Sequence, residues 1–330
     1  MSASSPRTFL VTGAAGFIGS HTAVRLLERG DHVVGLDNVN DYYDPSRKRA
    51  NLEEVRRVAQ SSGKFTFVED DIRNRPLVSQ LFEQHAFSGV AHLAAMAGVR
   101  ISVEDPWLYY ETNLTGTLNL LDAAHKHNNP NFVLASTSSA YGNTKVVPFI
   151  ETDTADRPLA PYPASKRAAE LLGHSYHHIQ GIDFTALRFF TVYGPRGRPD
   201  MMAYKIFDAM RTGVPMPLFN GGNMYRDWTF VDDIVSGVVA AVDKRLGYEV
   251  INIGRGEAVL LSDFVKSLEE LAGKKAPLVS EPMMRADVAY TYANIDKAKT
   301  LLGYAPTVSV AEGVRRFYEW YKAAVGDPGK

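Results

Sequence analysis

At 330 residues the chain is long for one small domain and suggests one large or two fused domains. Its 36 basic side chains nearly balance 37 acidic ones, so no global field favours nucleic acid or a membrane surface. The lack of Cys excludes disulfides, thiolate catalysis and Cys-ligated zinc, and no apolar stretch reaches the length of a membrane span.

The polar start, Met1 to Arg7, has no apolar core of a signal peptide, so a cytoplasmic location is expected. Thr8 to Val11 is a short apolar run before a glycine-rich turn, and Phe17 to Glu28 reads as a helix. Further strands are predicted at His32 to Leu36, Phe65 to Val68, Val90 to Leu93, Phe132 to Ala135 and Phe184 to Arg188. Helices are predicted at Pro76 to Phe82, Trp107 to His127 and Tyr162 to Gln180. Apolar strands without alternation, joined by helices, argue for an α/β fold with a doubly wound parallel sheet covered on both faces. Beyond Arg188 the units are shorter and rich in Gly and Pro. Helices return at Ala203 to Arg211, Asp232 to Asp243, Ser262 to Leu271 and Val310 to Tyr321. The expected organisation is a nucleotide-binding domain over 1–190 and a smaller mixed α/β substrate domain over 191–330. That boundary is soft, because the chain is free to cross back.

The turn after the first strand reads Thr12-Gly13-Ala14-Ala15-Gly16-Phe17-Ile18-Gly19. Gly13 permits the tight turn, Gly16 lets backbone amides approach a pyrophosphate, and Gly19 allows helix and strand to pack closely. The helix N-terminus then faces the anion. The second strand ends at Asp37, where a carboxylate accepts the hydroxyls of an adenosine ribose and repels a 2′-phosphate, which favours NAD over NADP. After the third strand, Asp71 is a candidate for the adenine amino group.

Tyr-x-x-x-Lys occurs at Tyr141/Lys145, Tyr162/Lys166 and Tyr318/Lys322, whereas chance gives about 0.7 such pairs in a chain of this composition. On a helix this spacing puts both side chains on one face, where an ammonium stabilises a phenolate and makes the Tyr a usable base. Tyr141 is followed by Gly142, Asn143 and Thr144, a loop composition. Tyr318 belongs to an apolar stripe with Val314, Phe317 and Tyr321, which reads as core packing. Tyr162 follows Pro161 and opens a helix, so Tyr162/Lys166 is the pair expected to do chemistry.

These residues resemble the extended short-chain dehydrogenase/reductase family along nearly the whole chain. The likeness runs from TGAAGFIGS through His92-Leu-Ala-Ala, Thr137 and Tyr162/Lys166 to Arg188-Phe-Phe-Thr-Val-Tyr-Gly-Pro and Arg226-Asp-Trp-Thr-Phe-Val-Asp-Asp. It implies a Rossmann-like fold with NAD bound against Gly13, Gly16, Phe17, Ile18, Gly19, Asp37 and Asn38. Asp71, Ile72, Leu93, Ala94, Ala95, Tyr162 and Lys166 would complete the cofactor site. It also implies Thr137 as the catalytic partner of Tyr162 and Lys166, and no metal. Tyr141 then becomes a positioning residue. More narrowly, Asn40-Asp-Tyr-Tyr-Asp, His92 through Arg100 and Phe190 through Met201 are similar to the nucleotide-sugar uronate epimerases of UDP-glucuronate 4-epimerase type.

Relatives share a first step, proton removal from the C4 hydroxyl by Tyr with hydride transfer to NAD. The resembling 4,6-dehydratases then need an acid/base carboxylate pair after the catalytic Thr, and the decarboxylases a Glu at the second of these positions. This chain has Ser138 and Ser139, which titrate too high to shuttle protons but can hydrogen-bond a carboxylate. They argue for epimerisation, although a polar strand end capping its own backbone is the bland alternative. The resemblance adds Thr191, Arg198 and Arg100 as candidates for the sugar. It puts Arg226 on the diphosphate, Asp287 on the uridine ribose and the backbone around Phe219 on uracil. Met284-Arg285-Ala286-Asp287 departs from the Gly-Asp pattern of relatives, leaving Arg285 as a second diphosphate cation from a shifted position.

The expected partner is a UDP-sugar, with UDP-glucuronate and UDP-galacturonate interconverted. The alternatives are a 4-epimerase of neutral UDP-sugars and a non-catalytic NAD-sensing regulator. The helices Trp107 to His127 and Tyr162 to Gln180 would pair with a second copy as a four-helix bundle, giving a homodimer; no nucleic acid or membrane partner is expected.

Overall fold

A computed structural model describes residues 7–283 and 287–330. The first half alternates as expected: β1 (Thr8–Thr12), α1 (Phe17–Glu28), β2 (His32–Asp37), α2 (Pro45–Ala59), β3 (Phe65–Glu69), α3 (Arg75–Gln84) and β4 (Gly89–His92). Two short helices, α4 (Ile101–Glu104) and α5 (Pro106–Tyr110), lead through a π-helical turn at Glu111–Thr115 into α6 (Gly116–Lys126). Then come β5 (Asn131–Thr137), α7 (Pro161–Gln180) and β6 (Phe184–Phe189).

The remainder comprises β7 (Thr191–Tyr193), α8 (Met202–Thr212), β8 (Met216–Phe219), β9 (Tyr225–Arg226) and β10 (Trp228–Phe230). These are followed by α9 (Val231–Asp243), β11 (Tyr248–Ile253), β12 (Val259–Leu260), α10 (Leu261–Ala272) and β13 (Leu278–Glu281). The chain ends in α11 (Asp296–Leu302) and α12 (Val310–Ala324).

Seven parallel strands form the central sheet in the order β3-β2-β1-β4-β5-β6-β11. Successive side chains enter opposite layers: Phe9 and Val11 pack with α1 and α9, and Leu10 packs with α3 and α6. With both faces covered, the strands are apolar throughout. The order reverses between β1 and β4, and at such a switch point the carboxyl ends of the strands open a crevice.

Two departures from the sequence expectation bear on the sheet and its surroundings. β11 is a seventh strand, and it pairs along its length with β6 after the crossover helix α9 packs on β4 and β5. The chain therefore crosses back: α9 and β11, beyond position 190, pack on and extend the central sheet. Helix α2 was not foreseen because it is strongly charged: only Leu52, Val55 and Val58 form its apolar seam. Asp44 caps it by accepting from the Ser46 amide at 2.9 Å, with Pro45 at the first helical position.

In the C-terminal part, α8, α10 and α12 enclose an aromatic core in which Phe207 stacks on Phe317 and Trp228 on Phe264. Tyr318 packs edge-on against Phe207, while Lys322 is exposed and pairs with Asp327. That Tyr/Lys pair is packing.

Candidate active site

The β1–α1 turn is built by contacts that leave no room for side chains. Gly13 has φ +71°, and a Cβ there would stand 2.8 Å from the Ala94 amide nitrogen. A Cβ on Gly19 would lie 1.9 Å from the Gly13 carbonyl oxygen. The first turn of α1 carries no acidic residue and no side-chain cap, so its amides remain available to an anion.

Behind the turn, the Thr117 hydroxyl donates to Asn113 O at 2.5 Å, so its oxygen accepts from His92 Nε2 at 2.9 Å. His92 Nδ1 therefore accepts from Thr12 Oγ1 at 2.7 Å, and the Ala94 amide donates to that same oxygen at 3.1 Å. The neutral imidazole this requires agrees with its lowered pKa, set by burial and then by the charge of Lys166. This chain of bonds locks the ends of β1 and β4 together.

At the end of β2, Asp37 accepts from the amides of Ala15 and Val39 at 3.0 and 2.8 Å, one on each oxygen. Each oxygen retains acceptor capacity. Asp71 is more fully engaged. Asn38 donates to one of its oxygens at 2.7 Å, and Arg73 donates to both at 2.8–3.0 Å. An adenine contact through Asp71 would have to compete with these.

A cleft of about 570 Å³ opens over the switch point. Of the residues singled out in the sequence, its lining includes Gly13, Gly16, Phe17, Ile18, Gly19, Asp37, Asn38, Asp71, Ile72, Leu93, Ala94 and Ala95. Thr137, Ser138, Ser139, Tyr162, Lys166, Thr191, Arg198, Arg100 and Phe219 line it as well.

Pro161 at the first position of α7 places Tyr162 in its first turn and Lys166 one turn on. Burial raises the Tyr162 pKa, opposed by the Thr137 hydroxyl and the charge of Arg198. Burial brings Lys166 down to about 8, while Glu170 pulls it up. Lys166 Nζ is buried and meets no hydrogen-bond partner among the described residues. Thr137 Oγ1 also accepts from the Ser139 amide at 3.1 Å, so the bland capping role is present beside any chemical one. Tyr141 is buried elsewhere, donating to Asn252 Oδ1 at 2.7 Å beneath Arg188, and Lys145 is exposed.

On the far wall the Arg198 guanidinium forks onto Asp200 at 2.9 and 2.5 Å. Lining carboxylates are Asp37, Asp70, Asp71 and Asp200, so none stands at Ser138 or Ser139. Arg100 lies over the Phe219 ring at 4.0 Å and pairs with Asp287 at 3.3 Å. Arg226 is not in the cleft wall: it donates to Tyr225 O at 2.8 Å, and its pKa is lowered by burial against the charge of Asp287. Asp287 is likewise outside the wall, and Arg285 lies outside the described residues.

A family signature described as GDP-mannose 4,6 dehydratase matches residues 10–317. The chain belongs to the extended short-chain dehydrogenase/reductase family. It is 44% identical over 315 residues to a UDP-glucuronate 4-epimerase of Thermodesulfobacterium geofontis, covering 95% of this chain and 96% of that one. It is 44% identical over 333 residues to UDP-glucuronate 4-epimerase 4 of Arabidopsis thaliana, covering 95% of this chain and 75% of that one. Among solved structures it resembles the UDP-glucuronic acid 4-epimerase of Bacillus cereus in complex with UDP-glucuronic acid and NAD. The TM-score is 0.88 at 37% identity, covering 96% of this chain and 99% of that one.

Sequence reasoning about this dehydrogenase/reductase chain missed the residues that brace the site. Asn113, buried in the π-helical turn, joins the loop after β4 to α7: it exchanges two bonds with Met96 (2.8 and 2.9 Å) and donates to Ser165 Oγ at 3.0 Å. The signal was there, an Asn three residues before Gly116 inside an otherwise regular helical stretch. Glu170, one turn past Lys166, accepts from Ser136 at 2.5 Å, from Arg188 at 2.7 and 3.0 Å, and from Arg167 at 3.1 Å. No local pattern marks a pairing between a helix and two strands.

Proposed function

We propose that the chain is an NAD-dependent UDP-glucuronate 4-epimerase that interconverts UDP-glucuronate and UDP-galacturonate. The residues present suit NAD. Gly13 and Gly19 let the turn close on its own backbone and leave the first amides of α1 uncapped, Asp37 keeps free acceptor capacity in the cleft, and Lys166 Nζ is a buried donor without a partner among the described residues. When bound, NAD would supply a reversible hydride acceptor for C4 of the sugar. Tyr162 would take the proton from O4, Thr137 would hold that oxygen in line, and Lys166 would help to hold the cofactor. Once the sugar has presented its other face, Tyr162 would return the proton to O4.

The uronate assignment rests on Arg198, a charged fork in the cleft close enough to bias the ionisation of Tyr162. A neutral sugar has no use for it. Ser138 and Ser139 stand where dehydration or decarboxylation would need carboxylates. The 4-keto uronate is a β-keto acid that loses CO₂ readily, and hydrogen bonds from Ser139 and Thr191 restrain its carboxylate.

Two measurements test this. Purified protein incubated with UDP-glucuronate and with UDP-glucose should epimerise the first in strong preference, followed by NMR of the sugar C4 proton. Equal turnover of both would favour the neutral-sugar reading. Ser139→Ala and Thr191→Ala should release more UDP-pentose than wild type; unchanged release would remove the protective role.

Among the described residues, no helix is long and apolar enough to cross a membrane. A homodimer is proposed through α5, α6 and α7, on which Trp107, Leu171 and Ile179 are 78%, 54% and 69% exposed. Sedimentation equilibrium should give twice the chain mass, and Trp107→Glu with Ile179→Glu should give monomers.

A further inference from the structure

The segment Asn40-Asp41-Tyr42-Tyr43-Asp44 has no part in the reaction above, yet Tyr42 stands in the cleft between the two halves of the site. Its hydroxyl donates to Ala97 O at 2.7 Å and lies 3.3 Å from Asp200 Oδ2. Its ring lies 5.5 Å from the Arg198 guanidinium carbon. We propose that Tyr42 is a positioning residue that sets the preference for a uronate by bracing the Arg198–Asp200 pair; this rests on the reading of Arg198 as the cation for the sugar carboxylate.

The bracing is tight on every side. Gly98 has φ +114°, and a Cβ there would meet Tyr42 Oη at 2.7 Å, so the loop after β4 fits closely against the hydroxyl. Tyr109 donates to the same Ala97 carbonyl at 3.1 Å and meets Tyr162 edge-on at 6.1 Å. Asp200 takes only the Nε–H and one Nη2–H of Arg198, which leaves three N–H groups for another acceptor. An Arg free to change rotamer would have to be ordered by the substrate; held between the Tyr42 ring and Asp200, it is ordered beforehand. A sugar with a neutral C6 does not engage that cation and gains nothing from the brace. Tyr42 also follows Asp37 and Asn38 by a few residues, which ties the loop at the cofactor ribose to the far wall.

The test is binding of UDP-glucuronate and UDP-glucose to the NAD-loaded protein by calorimetry. Tyr42→Phe, which keeps the ring but removes the hydroxyl that ties it to Ala97 O beside Asp200, should weaken UDP-glucuronate about tenfold and UDP-glucose less than about twofold. NAD content and melting temperature, measured alongside, should match wild type. In an Arg198→Met background, Tyr42→Phe should change neither sugar. Equal losses for both sugars, an undiminished loss in the Arg198→Met background, or unchanged binding of UDP-glucuronate would each overturn the proposal. Wild-type protein that binds both sugars equally would sink the uronate reading itself, before any variant is made, and this inference with it.

Discussion

The two walls of the cleft are held in different ways. The cofactor wall is backbone against backbone: a Cβ on Gly19 would collide with the Gly13 carbonyl, and Thr12 and His92 bolt two strand ends together. The part proposed for the sugar and nucleotide depends on long side chains, with Arg198 on Asp200, and Arg100 on Phe219 and Asp287. A backbone cradle cannot readjust, whereas side-chain pairs can exchange partners. An epimerase needs both: a cofactor that stays while a keto-sugar is turned between two faces.

The largest expected effect falls where the walls meet. Tyr162→Phe removes the only proton acceptor proposed for O4 and should lower kcat by about 10³-fold or more, the usual scale for a lost general base. Because its ring still fills the site, purified Tyr162→Phe should retain NAD. Loss of the cofactor together with the activity would mean that Tyr162 is part of the cradle.

On the cofactor wall, Gly19→Ala should yield protein without NAD and activity reduced by ~10²-fold, since a carbonyl in a tight turn cannot retreat from the added methyl. Absorbance of the supernatant after denaturation reads the cofactor content. On the opposite wall, Arg198→Met should raise KM for UDP-glucuronate by about 10- to 100-fold, the value of a charged hydrogen-bonding fork, with NAD retained. If the two variants behaved alike, each losing both cofactor and substrate, the division between rigid and adjustable walls would fail.

Legibility in the sequence follows the same division. The glycine spacing, Asp37 and Tyr162/Lys166 were readable because local geometry dictates them: a positive φ, a strand end, a helical repeat. Ser138 and Ser139 were readable as an absence of acid. What stayed hidden depends on long-range pairing. Strand β11 joins the sheet 59 positions after β6 ends by registering Ile251 on Leu187, and nothing in its own composition says so. Asp200 was invisible as the anchor of Arg198 because a two-residue spacing in a Gly-Pro loop sets no side-chain direction. Arg226, in β9, and Asp287, both carried over by resemblance, are not among the described residues that line the cleft.

The smallest effect is a pair of opposite pH slopes. Lys166 sits at about 8 in the folded chain, against 10.5 for a free side chain. Its buried ammonium therefore destabilises the fold fully below about 8, and that penalty shrinks as pH rises from about 8 toward 10.5, where the unfolded chain alone still binds the proton. Cofactor-free protein should thus gain stability over this window relative to Lys166→Met, read by denaturant unfolding at each pH. NAD affinity should run the other way. Lys166 donates best as the ammonium, so binding should weaken as pH rises through about 8 in wild type and stay flat in Lys166→Met. Stability and affinity falling together would mean that Lys166 has a partner in the protein, and the unpaired buried donor would no longer speak for the cofactor.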